Sequence, residues 1–264
     1  MDDVVRIKDL VFKYHDTLIF NRLNLNIKRG KYTVLTGRNG SGKSTLVKIL
    51  SGLEKFEGYI NIDGIRLEKE NLADIRMKLG IVFETNKQVF VGETVIDEIA
   101  FMLENLCYPK EDIEREIKRV SRLLNLKEIL NKDPNSLNTN DKCLVSLACA
   151  LSLNPKVIII DEVLELLDDK EGVLKKLISL KDMTIINITS NLEDGLLADD
   201  LIIVDEGELY MHGDPKEILL AEDKLKKLGF KLPFIIDMSQ KLQFYELIDK
   251  PYFDMEEMVD AIWN

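Results

Sequence analysis

Gly37-Arg38-Asn39-Gly40-Ser41-Gly42-Lys43-Ser44-Thr45 decides how the rest of this chain is read. An apolar-rich run, Tyr32-Thr33-Val34-Leu35-Thr36, precedes it, and Leu46-Val47-Lys48-Ile49-Leu50 follows with helical character. A strand, a loop of the form G-x-x-x-x-G-K-[ST] and a helix, in that order, make a phosphate cradle. Gly37, Gly40 and Gly42 free the backbone to curl its N–H groups around phosphate oxygens. The helix behind the loop aims its positive end at the same anion. Lys43 has the reach and charge for β- and γ-phosphates, and the Ser44 hydroxyl is a ligand for Mg²⁺. A plain glycine turn ahead of a helix is the competing reading. The co-occurrence of strand, full motif and helix counts against it.

The chain of 264 residues has room for one α/β domain and an appendage. Its formal net charge of −11 argues against a nucleic-acid backbone as the main partner, because phosphate binding needs a basic surface. No run of 18 or more apolar residues is present, so nothing in the sequence spans a bilayer. Met1-Asp2-Asp3-Val4-Val5-Arg6 lacks the basic start and apolar core of a signal peptide. Cys107, Cys143 and Cys149 show no C-x-x-C spacing. They read as reduced, buried thiols of a cytosolic protein.

Upstream of the loop, Val5-Arg6-Ile7-Lys8 and Leu23-Asn24-Leu25-Asn26-Ile27 alternate apolar and polar, as half-buried antiparallel strands do. Between them Tyr14 is either an ordinary strand aromatic or a ring that stacks on a base. Downstream, Gly58 to Gly64 reads as a short strand and turn, and Leu79-Gly80-Ile81-Val82-Phe83 as a buried strand running into Glu84-Thr85-Asn86-Lys87-Gln88. From Thr94 to about Leu153 the pattern is helical, with Thr94 a cap and Ile113, Ile117, Val120 and Leu124 on one amphipathic face. Val157-Ile158-Ile159-Ile160 suits a parallel strand covered on both faces, and it ends in Asp161-Glu162. Ligands of open α/β sheets bind at such strand ends. Two further strands, Thr184 to Ile188 and Leu201 to Val204, precede helix-rich sequence. The last stretch, from Gly229, is too short for a core of its own and should pack on the main domain or on a second chain.

In this order the segments resemble an ATP-binding cassette (ABC) ATPase. The finer resemblance is to the ATPase subunits of energy-coupling factor (ECF) transporters, importers of vitamins and metal ions. It rests on Gly80-Ile81-Val82-Phe83, Phe90-Val91-Gly92-Glu93-Thr94-Val95, Leu103-Glu104-Asn105 and the tail Lys227 to Phe234. The resemblance implies an α/β P-loop NTPase fold with an N-terminal antiparallel β-subdomain, a mostly parallel central sheet and a helical subdomain at about 94–153. It makes 1–220 the nucleotide-binding domain and 221–264 an extension for dimerisation or packing. It also implies roles. Tyr14 stacks on adenine, and Gly37 to Thr45 cradle ATP. Ser44, Asp161 and Glu84 serve Mg²⁺, and Glu162 polarises the attacking water. Asp168 sits at an ATPase–ATPase interface, although Asp168-Asp169-Lys170-Glu171 also reads as a plain helix start.

Three positions depart from the family pattern. Glu84 stands where a glutamine is expected, gaining a charge and losing an amide donor. Leu137-Asn138-Thr139-Asn140-Asp141 replaces Leu-Ser-Gly-Gly-Gln, the signature that faces the γ-phosphate held by an opposing subunit. Thr139 and Asn140 restrict backbone approach, Asp141 adds negative charge, and Asn138 can still cap the helix. Ser190 stands where a switch histidine is expected, without an imidazole's reach or charge. A homodimer would carry every defect twice. The expectation is therefore a heterodimer with a more complete ATPase subunit, docked at the cytoplasmic face of the cell membrane on a transmembrane coupling subunit and a substrate-binding membrane subunit. Turnover by this chain alone should be weak. Normal turnover is the competing outcome, since Glu162 is retained and catalytic effects are not additive. A non-hydrolysing, ATP-bound subunit and the ATPase of another ABC transporter type are the rival readings of the whole chain.

Overall fold

The computed structural model describes residues 2–84, 89–180 and 182–263. Strands β1 (Asp3–Tyr14) and β2 (Thr17–Lys28) pair antiparallel across a turn at His15-Asp16, where His15 has φ of 50°. The strand runs further than its alternation suggested, so Phe12 and Tyr14 belong to it. After β2 the chain enters β3 (Tyr32–Thr36), then returns with β4 (Glu57–Ile62) and β5 (Ile65–Arg66). The first sheet has the order β2-β1-β4-β5. Between β4 and β5, Asp63 and Gly64 both have positive φ, 48° and 83°, the left-handed pair that closes a tight hairpin.

The second sheet holds the functional centre. Its other strands are β6 (Leu79–Val82), β7 (Val157–Asp161), β8 (Thr184–Thr189), β9 (Asp200–Asp205) and β10 (Glu208–Gly213). Their order is β10-β9-β3-β8-β7-β6, parallel throughout except for β10, which is antiparallel to β9. The apolar runs follow from this, because every residue of β3, β7 and β8 is buried. Successive side chains leave for opposite faces. Ile158 and Ile160 join one core, on the helical side, while Val157 and Ile159 join the other, beneath the first sheet.

Helices cover the sheet. They are α1 (Lys43–Leu50), α2 (Leu72–Lys78), α3 (Val95–Asn105), α4 (Lys110–Leu123), α5 (Thr139–Ser152) and α6 (Lys170–Ile178). Thr94 caps α3 in a reciprocal box: its Oγ1 accepts from Asp97 N–H at 3.2 Å, and Asp97 Oδ2 accepts from Thr94 N–H at 3.0 Å. The chain ends with α7 (Pro215–Leu219), α8 (Glu222–Lys227), α9 (Phe234–Phe244) and α10 (Met255–Trp263). Ile235 and Ile236 of α9 and Met258 of α10 enter the core of the helical side, so the last segment packs on the main body. One expectation fails. Cys107 is exposed, because it sits past the end of α3 at φ 57°, where the turning backbone carries its side chain outward. Cys143 is buried and Cys149 partly so, and among the described residues none of the three forms a disulfide.

Candidate functional site

The loop from Gly37 to Gly42 joins β3 to α1, and its shape depends on glycine. Gly42 has φ of 100°, and a Cβ there would lie 2.8 Å from the Phe20 ring. A Cβ on Gly37 would lie 2.2 Å from the Val204 carbonyl oxygen. The loop is thus pressed between the two sheets, and a side chain at either position would push it off its seat. Arg38 anchors it from outside, with Nε and Nη2 donating to Asp205 at 2.7 and 2.8 Å. Lys43 Nζ folds back and donates to the Gly37 carbonyl at 2.7 Å.

Beside the loop lies an open cavity of about 710 Å³. Asn39, Gly40, Gly42, Lys43, Ser44 and Thr45 form one wall, and Glu84, Glu162, Glu165, Leu166 and Ser190 the other, with Ile19 at the rim. Asp161 is buried directly behind, at the end of β7. Burial pushes its carboxyl up to about 6, the Ser44 hydroxyl and Lys43 oppose the rise, and the Glu162 and Glu84 carboxylates add to it. The same burial lowers the Lys43 ammonium, while Glu162 and Asp161 pull it back up. Glu162 leaves β7 with φ of 55°, a left-handed residue fixed by its N–H to the Ile188 carbonyl at 2.9 Å. Ser190 Oγ lies 3.5 Å from Glu162 Oε2.

Four carboxylates, Glu84, Asp161, Glu162 and Glu165, against one ammonium would repel a triphosphate unless a cation came with it. The donors present fit Mg²⁺. They are all oxygens, Ser44 already hydrogen-bonds the Asp161 carboxylate, and Asp161 Oδ1 is buried with no hydrogen-bond partner among the described residues. Among those residues no group of three His, Cys, Asp or Glu side chains is arranged to hold a metal alone. Mg²⁺ does not need one, since it takes one or two protein ligands and completes its shell with waters and phosphate oxygens.

Not every candidate reaches this cavity. The Tyr14 ring meets Phe12 edge-on with centroids 4.8 Å apart, and its hydroxyl donates to Glu54 Oε1 at 3.2 Å. Leu137 packs against the core on the helical side. Asn138 caps α5, its Oδ1 accepting from Asp141 N–H at 2.8 Å, and Thr139 opens that helix. Asn140 Oδ1 accepts from the Asp168 N–H at 3.0 Å. These residues form no wall of the cavity in their own chain. Thr85 to Gln88, after Glu84, lie outside the described residues. Sequence reading missed a polar chain behind the site. Asn187 Nδ2 donates to Asp194 Oδ2 at 2.7 Å and to Tyr32 Oη at 3.2 Å, and Lys170 Nζ bridges Asp194 and Glu165. The one local signal for it is Asn187, a polar residue inside an apolar strand.

A family model described as ABC transporter matches residues 20–165. Over 270 residues the chain is 37% identical to the energy-coupling factor transporter ATP-binding protein EcfA1 of Mesomycoplasma hyopneumoniae (strain 7448), covering 99% of this chain and 98% of that protein. The chain belongs to the ATP-binding proteins of ECF transporters, within the ABC family. The protein of the same name from Bacillus subtilis (strain 168) is 32% identical over 273 residues, spanning 100% of this ECF-type chain and 97% of its own. Among solved structures, cbiO1 from Clostridium perfringens, part of the ABC transporter complex cbiONQ, matches with a TM-score of 0.75 at 28% identity, covering 88% of this chain and 97% of that one. An ATP-binding cassette solved as a dimer in a post-hydrolysis state with ADP and Pi matches with a TM-score of 0.70 at 27% identity, covering 80% and 98% of the two chains. The protein is therefore an ATP-binding ABC ATPase of the ECF type. Its two sheets and helical layer are the P-loop α/β architecture that the loop motif implied.

Proposed function

We propose that this ECF-type ABC ATPase binds Mg·ATP in the cavity beside Lys43 and couples its hydrolysis to import of a vitamin or metal ion through membrane partners. One observation carries the reading: Lys43, Ser44, Asp161 and Glu162 converge where β3 and β7 end, with Glu84 opposite. In this reading the N–H groups of Gly37 to Thr45 hold the phosphates, and Lys43 leaves the Gly37 carbonyl for their oxygens. Mg²⁺, held by Ser44 and Asp161 with Glu84 at hand, would neutralise charge on the triphosphate. Glu162 takes the proton of the attacking water. Tyr14 stacks on the base only if its ring leaves Phe12. In the same reading residues 1–220 form the nucleotide-binding domain, with the helical subdomain at about 94–153, and 221–264 are an extension for dimerisation or packing.

The partner reading has its own support. An apolar groove of about 520 Å³ opens at Phe83, the residue before Glu84, and is lined by Leu53, Ile75, Val89, Met102 and Leu153 among others. Val89 is 85% exposed and Leu53 62%, and such surface in a polar rim marks an interface. We assign it to the transmembrane coupling subunit, with a substrate-binding membrane subunit beyond and this chain peripheral at the cytoplasmic face. Among the described residues no helix is long and apolar enough to cross a membrane. Calorimetric titration of Mg·ATP tests the core claim. Tight binding by the wild-type chain, lost in Lys43→Ala, supports it; equal affinity in the two overturns it.

A second reading is favoured by Ser190 and the turn from Asn138 to Asp141: a largely non-hydrolysing subunit that supports an active ATPase partner in a heterodimer. Ser190 offers Glu162 a neutral hydroxyl at 3.5 Å in place of a cation. Turnover of the heterodimer with Glu162→Gln in this chain alone separates the two. An unchanged rate favours the supporting role.

A further inference from the structure

The segment from Glu162 to Asp168 is fastened at both ends. At its start, Glu162 N–H donates to the Ile188 carbonyl of β8 at 2.9 Å. At its end, Asp168 N–H donates to Asn140 Oδ1 on the first turn of α5 at 3.0 Å. Between these points, among the described residues, the backbone N–H groups make short local bonds, Leu166 N–H to Val163 O and Leu167 N–H to Leu164 O. Glu165 and Leu166 from this segment are walls of the phosphate cavity. The amide of Asn140 is itself oriented, because its Nδ2 donates to Asp141 Oδ1 at 3.1 Å and so turns Oδ1 toward Asp168. Asn138, two residues earlier, fixes the helix start from which Asn140 reaches.

We propose that Asn140 is a positioning residue, a side-chain clasp that holds the segment from Glu162 to Asp168 against α5 and thereby keeps the cavity wall in register with Glu162. A residue without a side chain could not make this bond, so the polar substitution at 140 adds a connection rather than only spoiling a surface. The inference rests on the proposed role of Glu162. Its effect on overall stability should be small, since Asp168 is exposed and its N–H can turn to water.

The test is amide hydrogen exchange on the full-length chain, read at Asp168 and at Leu166 and Leu167, with turnover of the transporter complex containing each variant. Asn140→Ala should speed exchange at Asp168 by about tenfold, as loss of one hydrogen bond does. The loosening should spread to Leu166 and Leu167, and kcat should fall several-fold at unchanged KM. The exchanged pair N140D/D141N keeps an acceptor toward Asp168 and an amide–carboxylate contact at its back, so it should restore protection and rate. Unchanged exchange at Asp168 in Asn140→Ala, or no recovery in the exchanged pair, overturns the clasp. Lost protection with an unchanged rate overturns its positioning role. The exchange arm reads the clasp whether or not the chain hydrolyses ATP, so its failure is distinct from failure of the ATPase reading.

Discussion

Lys43 Nζ donates to the carbonyl of Gly37 at 2.7 Å, six residues back along its own loop. The ammonium is buried and rests on a neutral oxygen, an adequate but weak partner for a charge. A phosphate oxygen is a better one, so nucleotide entry should draw Lys43 off Gly37. Lys43→Ala removes a charge-assisted contact to phosphate, which is worth about 1.5–3 kcal/mol or more in a dry site. We expect Mg·ATP affinity to fall at least tenfold by titration calorimetry, with no loss of thermal stability in the free chain.

Asp161 ties stability to pH. Its carboxyl has a pKa of about 6 when folded against 3.8 as a free side chain, chiefly from burial. The folded chain therefore favours the protonated form. That preference is fully present below the unfolded value and is lost as pH rises through about 6. Above that, the ionised carboxylate costs the fold up to about 3 kcal/mol. Asp161→Asn keeps an acceptor for Ser44 and removes the charge. In metal-free buffer it should raise the melting temperature by a few degrees at pH 8 and by much less at pH 4. Glu84→Gln removes a like charge facing Asp161, so it should shrink the gain of Asp161→Asn. Scanning calorimetry across pH reads both, and an equal gain at pH 4 and pH 8 would rule out ionisation as the cause.

What could be read from the sequence depended on distance along the chain. The phosphate loop and the Asp161-Glu162 strand end were legible because each packs its chemistry into a few consecutive residues with fixed roles. The alternation in β1 and β2 and the unbroken run of β7 gave the two sheets for the same reason. The link from Asn140 to Asp168 spans 28 residues, and the bond from Tyr32 to Asn187 spans 155. No periodicity encodes such pairs. Tyr14 shows the limit from another side. Its residue type suits both a strand aromatic and a base-stacking ring, and the free chain seats it edge-on against Phe12.

Glu162 should matter for the rate and little for binding. It lines the cavity next to Ser190, on backbone held at φ 55°, and makes no bond to the phosphate loop that the fold requires. Glutamine keeps its size and loses its basicity. In an assembled transporter, with the site of any proposed partner ATPase inactivated, Glu162→Gln should lower turnover by about 10²–10⁴, the worth of a general base. ATP affinity should stay within a few-fold of wild type. A large loss of affinity would assign Glu162 to binding instead.

Ser190 offers a gain-of-function test. It is exposed at the cavity edge, and its hydroxyl sits 3.5 Å from Glu162 Oε2, too far for a strong bond. An imidazole grown from the same position extends toward the phosphate loop, and its cationic form would pair with Glu162 and with phosphate oxygen. With Asn39, Lys43 and Glu162 already on the walls, the added ring completes a ring of polar groups without displacing the core. Ser190→His should therefore raise turnover several-fold at pH 7 and make it fall as pH rises through the histidine range near about 6.5–7.5. Steady-state phosphate release across pH measures both effects. No gain in rate, with ATP affinity intact, would mean that the weak step lies elsewhere, with the turn from Asn138 to Asp141 the next candidate.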